Sequence, residues 1–112
     1  MQDKLGDKIR VKHILQAISE IESYIASADR EIFSANSMML NATLRQLEII
    51  GEASNKLSLD FIQSTSSIPW AKIIGLRNFI IHEYFGIDDY AIWNIITINL
   101  PLLKRDLLET QK

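Results

Sequence analysis

Apolar residues recur three and four positions apart along almost the whole chain, which is the period of an α-helix and not of a strand. Leu5, Ile9, Ile14, Ile18, Ile21 and Ile25 follow this spacing, so residues 3–27 are predicted as one long amphipathic helix. Asp29-Arg30-Glu31-Ile32-Phe33 reads as a short helical turn. A second long helix is expected over 37–57, with Leu40, Leu44, Leu47, Ile50 and Leu57 on one arc. Gly51 falls within that arc. A mid-helix glycine costs ~1 kcal/mol against alanine, and its best explanation is a neighbouring helix in close approach. Residues 58–67 are rich in hydroxyls and read as a turn plus connector. Pro69 suits the first turn of a third long helix, which runs from Trp70 to Phe85 and stops at Gly86. Asp88 is a good N-cap for a last helix reaching Glu109, kinked at Pro101 because the ring removes the bond to the Thr97 carbonyl. With no strand alternation and no repeat, the expected fold is all-α. It is an antiparallel bundle of four main helices plus short helical turns, in one domain over residues 1–112.

Composition narrows what such a bundle could do. A chain of 112 residues and 12.8 kDa has room for one core, and 47% hydrophobic residues exclude intrinsic disorder. There are no cysteines, which removes thiolate nucleophiles, iron–sulfur clusters and cysteine-ligated zinc. Twelve basic against fourteen acidic side chains give a net charge of −2, so an extensive nucleic-acid-coating surface is not expected, while a local basic cleft remains compatible. No apolar run approaches the ~18 residues needed to span a bilayer. The first eight residues carry no apolar signal core, so the expected location is the cytoplasm.

Candidate chemistry concentrates in the helix over 70–85. With Arg77 set at zero and ~100° per residue, Trp70, Ile73, Ile74, Ile80 and Ile81 lie within ~60° of it. An arginine on the most apolar face of its helix cannot deprotonate to escape burial. Either it pairs with a buried carboxylate, Glu48 or Glu52, or the face opens onto a cleft where the charge awaits an anion. Both readings stay open. Asn78 and His82, four residues apart, share an adjoining strip, and Tyr84 returns to the Arg77 face seven residues on.

The run Arg77-Asn78-Phe79-Ile80-Ile81-His82-Glu83-Tyr84 resembles the Arg-x4-His-x-Tyr motif of HEPN-domain toxins of the HepT type. The resemblance extends to Ile49-Ile50-Gly51-Glu52-Ala53, to Ile68-Pro69-Trp70, to Phe85-Gly86-Ile87-Asp88, and to Trp93 and Leu100-Pro101-Leu102. It implies a helical homodimer acting as a metal-independent endoribonuclease, with no cofactor, and serving as a toxin paired with a nucleotidyltransferase antitoxin. It further implies that the motifs of two protomers meet in an interface cleft. Arg77 would contact the scissile phosphate of the RNA substrate and His82 would carry the proton transfer. Asn78 would support the histidine or substrate, and Tyr84 would be the AMP acceptor modified by the antitoxin.

The residue types suit that chemistry. Cleavage by the neighbouring 2′-OH needs a base, an acid and positive charge on the phosphorane. Histidine, with a pKa near ~6.5, serves either proton role, and arginine offers paired donors to phosphate oxygens. The alternative is a non-catalytic helical module that docks a nucleotidyltransferase and a nucleotide or RNA.

Elsewhere the chain offers little. His13 is expected at the surface or an interface, no His/Asp/Glu cluster has metal-ligand spacing, and Ser64-Thr65-Ser66-Ser67 reads as a linker. Asn99, within the apolar stripe of the last helix, is a candidate buried hydrogen-bonding residue.

Overall fold

A computed structural model describes residues 4–82 and 88–112, the side chains of Ile81 and His82 excepted, and all regular structure among these is helical. Helix α1 (Lys4–Ile25) turns Val11, Ile14, Ala17, Ile18 and Ile21 inward and leaves Lys8, Lys12, Glu20 and Glu22 in solvent. Its chief neighbour is α3 (Ser37–Asn55), which buries Thr43, Leu44, Leu47, Ile50 and Gly51. The two run antiparallel. Asp7 at the start of α1 reaches Ser58 just beyond the end of α3, and Tyr24 near the end of α1 accepts from Gln46 Nε2 at 3.2 Å.

Short polar side chains cap the next three helices. Asp29 accepts from Ile32 N at 2.9 Å and starts α2 (Arg30–Ala35). That helix presents Phe33, fully buried, to the ring of Trp93 at a centroid distance of 5.3 Å. Asn36 caps α3 through Met39 N. Ser58 caps α4 (Leu59–Ser64) through Phe61 N, and is itself held by the 8%-exposed Asp7, whose carboxylate accepts from Ser58 N at 2.8 Å and Ser58 Oγ at 2.6 Å. The hydroxyl-rich connector has a structural use: Thr65 Oγ1 donates to the Phe61 carbonyl and accepts from Trp70 Nε1 at 2.9 Å.

Two expected helices are interrupted. The helix predicted from Trp70 to Phe85 divides at Gly75 into α5 (Trp70–Ile74) and α6 (Leu76–His82). The Gly75 amide still reaches the Ala71 carbonyl at 3.1 Å, and the ladder resumes where Phe79 N meets the Gly75 carbonyl at 2.9 Å. Pro69 sits one residue ahead of α5, its carbonyl accepting from Lys72 N and Ile73 N. The expected stop at Gly86 lies outside the described residues.

In the last helix, Asp88 caps Tyr90 N and Ala91 N as expected and opens α7 (Asp89–Asn94). The distortion ahead of Pro101 takes the form of a π-helical turn over Ile95–Asn99, in which Leu100 N bonds to the Ile95 carbonyl five residues back. One extra residue per turn accommodates the missing proline N–H before α8 (Leu100–Glu109). Asn99 is exposed, which corrects the expectation that it is buried. The ion pair between Lys104 and Glu22, at 3.1 Å, ties α8 back onto α1. No helix among the described residues is long and apolar enough to cross a membrane.

Candidate active site

The site is organised by Gly51. A Cβ built on that glycine would lie 3.2 Å from Arg77 N, 3.3 Å from the Ile73 carbonyl oxygen and 3.4 Å from Arg77 Cβ. The backbones of α3 and α5–α6 therefore cross in near-contact at this point, which is the close approach that a glycine in mid-helix predicted. Trp70, Ile73 and Ile80 are buried, so Arg77 is on the packed face of its helix, as its spacing indicated.

The guanidinium itself is not buried. Its side chain is 50% exposed, because the absent side chain at position 51 lets the arginine stem pass over α3 and carry its head to solvent. There Arg77 Nε meets Glu52 Oε1 at 3.3 Å. The carboxylate is 43% exposed, so the buried ion pair considered from sequence is instead a half-solvated one. Glu48 has a different partner, Arg45, at 3.6 Å. A pair this exposed contributes ~0–1 kcal/mol to stability. Its consequence is geometric: Glu52 restrains a long side chain that would otherwise sample many rotamers.

Arg77 and Asn78 open α6 and form one wall of a cleft of about 420 Å³, with Ile74 beside them. The opposite wall is the C-terminal part of α3, with Gly51, Glu52, Asn55 and Lys56. The two alternatives posed by the sequence thus coexist, since Arg77 has a carboxylate neighbour and also lines an open cleft. Asn78 is exposed on the same wall. His82 is the last residue of α6, its side chain lying outside the described residues, as does Tyr84 altogether. His13 is exposed on α1, where the surface reading placed it. Sequence reasoning did not single out Asn55 and Lys56. The available signal was their position three and four residues beyond Glu52, which puts all three on one helical strip.

This arrangement offers a cation and amide groups to an anionic ligand. Residues 14–109 match the family described as Ribonuclease HepT-like. The chain is 37% identical over 94 residues to a Methanocaldococcus jannaschii protein provisionally named an RNase, covering 84% of this chain and 86% of that one. It is 35% identical over 101 residues to a Thermococcus cleftensis protein named "Probable ribonuclease HepT", covering 90% and 92%. A Caldanaerobacter subterraneus protein, also provisionally named an RNase, is 35% identical over 99 residues, with 88% of each chain covered. No solved structure matches the chain significantly. An all-α bundle with this match along most of its length belongs to the HepT-like ribonuclease family.

Proposed function

We propose that this protein is a metal-independent endoribonuclease that cleaves RNA by attack of the 2′-OH on the adjacent phosphate, and that it acts as a cytoplasmic homodimer. The observation that carries the reading is Arg77: a guanidinium brought to an open cleft by a glycine crossing and restrained by Glu52. Arg77 contacts the scissile phosphate and stabilises charge on the phosphorane. A carboxylate-restrained arginine does this with little reorganisation as the charge develops. His82, five residues on, carries the proton transfers, and Asn78 orients the histidine or the substrate. The relatives named as ribonucleases support the substrate class.

Two proton transfers are needed and the motif holds one histidine per chain. A two-fold axis beside α6 supplies Arg77 and His82 twice. In this reading the protein is the toxin of a toxin–antitoxin pair, silenced when a nucleotidyltransferase partner transfers AMP to Tyr84. The test is purified protein incubated with total RNA in EDTA. Fragments ending in 2′,3′-cyclic phosphate are expected, and intact RNA or 3′-hydroxyl ends would overturn the mechanism.

A further inference from the structure

The cleft holds one cation that the mechanism leaves unused. Lys56 lines it together with Asn55, across from Arg77 and Asn78. Glu52 and Lys56 stand four apart with the acid on the N-terminal side, the favourable order for an ion pair on a helix. Yet Glu52 is paired with Arg77, and among the described residues Lys56 makes no ion pair or side-chain hydrogen bond. Its ammonium therefore has no carboxylate partner among the described residues. Lys56 is also the C-cap of α3, where its charge offsets the carbonyl end of the helix, which would otherwise repel an anion.

We infer that Lys56 is a second phosphate contact, binding the RNA backbone one nucleotide away from the phosphate held at Arg77. The register follows from α3. Glu52 marks the place where Arg77 is held, and Lys56 lies one helical turn, ~6 Å of rise, further along the same strip. A displacement of that size is of the order of one nucleotide step in an extended strand. With Glu52 neutralising one of the two cations, the cleft keeps a single net positive charge among Glu52, Lys56 and Arg77, which suits a polyanion threading it while remaining compatible with an acidic protein.

This inference rests on the ribonuclease reading, and the experiment separates the two. A short fluorescein-labelled RNA of mixed sequence, 2′-O-methylated so that no 2′-OH can attack, is titrated with protein and followed by anisotropy over a range of salt concentrations. One phosphate contact to a single strand contributes ~0.7 to the log–log salt slope, which at about 0.1 M salt amounts to roughly fivefold in affinity relative to the 1 M limit. Lys56→Gln is expected to weaken binding by that factor and to flatten the slope by ~0.7, while Lys56→Arg stays near wild type. Wild-type binding that falls in Arg77→Ala but is unchanged in Lys56→Gln would overturn the inference and leave the ribonuclease reading standing. An equal loss in Lys12→Gln, an exposed lysine on α1, would reduce the effect to overall charge and also overturn it. No binding by the wild-type protein would overturn both.

Discussion

Substituting Gly51 should separate two effects that usually act in opposite directions. Alanine in a helix interior is favoured over glycine by ~1 kcal/mol, so Gly51→Ala on an isolated or exposed helix would stabilise. Here the added Cβ would come within 3.2 Å of Arg77 N and 3.3 Å of the Ile73 carbonyl oxygen. Both are backbone atoms of the facing segment and cannot rotate away as a side-chain end could. The α5–α6 segment must shift by a few tenths of an ångström, and overpacking of this kind costs ~1–3 kcal/mol. The balance is a net loss of about 0–2 kcal/mol, or a fall in Tm of up to ~8 °C at roughly 4 °C per kcal/mol for a chain of this size. Gly51→Val adds two methyl groups at the same crossing, recovers less helix propensity, and should lose more. Gly75→Ala is the control. Its Cβ would face only its own preceding turn, with Ala71 O at 3.3 Å and Lys72 O at 3.5 Å, and its backbone is right-handed helical at φ −68° and ψ −13°. It should be neutral or stabilising by up to ~1 kcal/mol. Thermal unfolding followed by circular dichroism gives all three values. A rise of about 4 °C in Gly51→Ala, the full helix-propensity gain, would show that the α3–α6 crossing is looser than the contacts require.

Further predictions concern the framework, the assembly and the silencing of the site. Asp7→Ala leaves the Ser58 amide and hydroxyl without their shared acceptor and should cost ~1–3 kcal/mol in urea unfolding; an unchanged midpoint would refute the tie between α1 and α4. Light scattering at micromolar concentration should report a homodimer, and a monomer would remove the second histidine from the mechanism. Incubation with the cognate nucleotidyltransferase and ATP should add adenylate mass to wild type and none to Tyr84→Phe, which keeps much of its ribonuclease activity; adenylate on Tyr24 or Tyr90 would refute the assignment. Glu52→Gln should lower the cleavage rate more than it weakens RNA binding, since it frees Arg77 from its restraint without removing the cation. A fall in affinity alone would mean that Glu52 acts on substrate binding and not through Arg77.

Much of this arrangement was legible in the chain because local rules and tertiary packing agree. Asp88 was legible as the cap of the last helix, whereas Asp29, Asn36 and Ser58 obey the same rule for short polar side chains ahead of an apolar run but were not read as caps. Gly51 was legible for a different reason, since its conformational cost in mid-helix demands a compensating contact. The break at Gly75 was not read, because hydrophobic periodicity continues across it and the glycine keeps a helical φ. A second mid-helix glycine was the signal available. Nor could spacing choose between Glu48 and Glu52 as the neighbour of Arg77, as the two stand one turn apart on the same helix. The choice is made by the register of α6 on α3, and that register is set where Arg77 crosses Gly51, adjacent to Glu52. Asp7 gave no sign of its role. It sits among charged residues in the sequence, and its partner lies 51 positions away.

The proposed ribonuclease activity requires Arg77 and His82 to act on RNA and not on the fold. Arg77→Ala and His82→Ala should each abolish cleavage of total RNA in EDTA, with circular dichroism and light scattering unchanged from wild type, because the Arg77–Glu52 pair contributes little to stability. Quantifying 2′,3′-cyclic phosphate ends from wild type and the two variants side by side is the most direct measurement. Such ends are expected from wild type alone. Equal yields from wild type and His82→Ala would contradict the mechanism, as would cleavage that appears only on addition of magnesium.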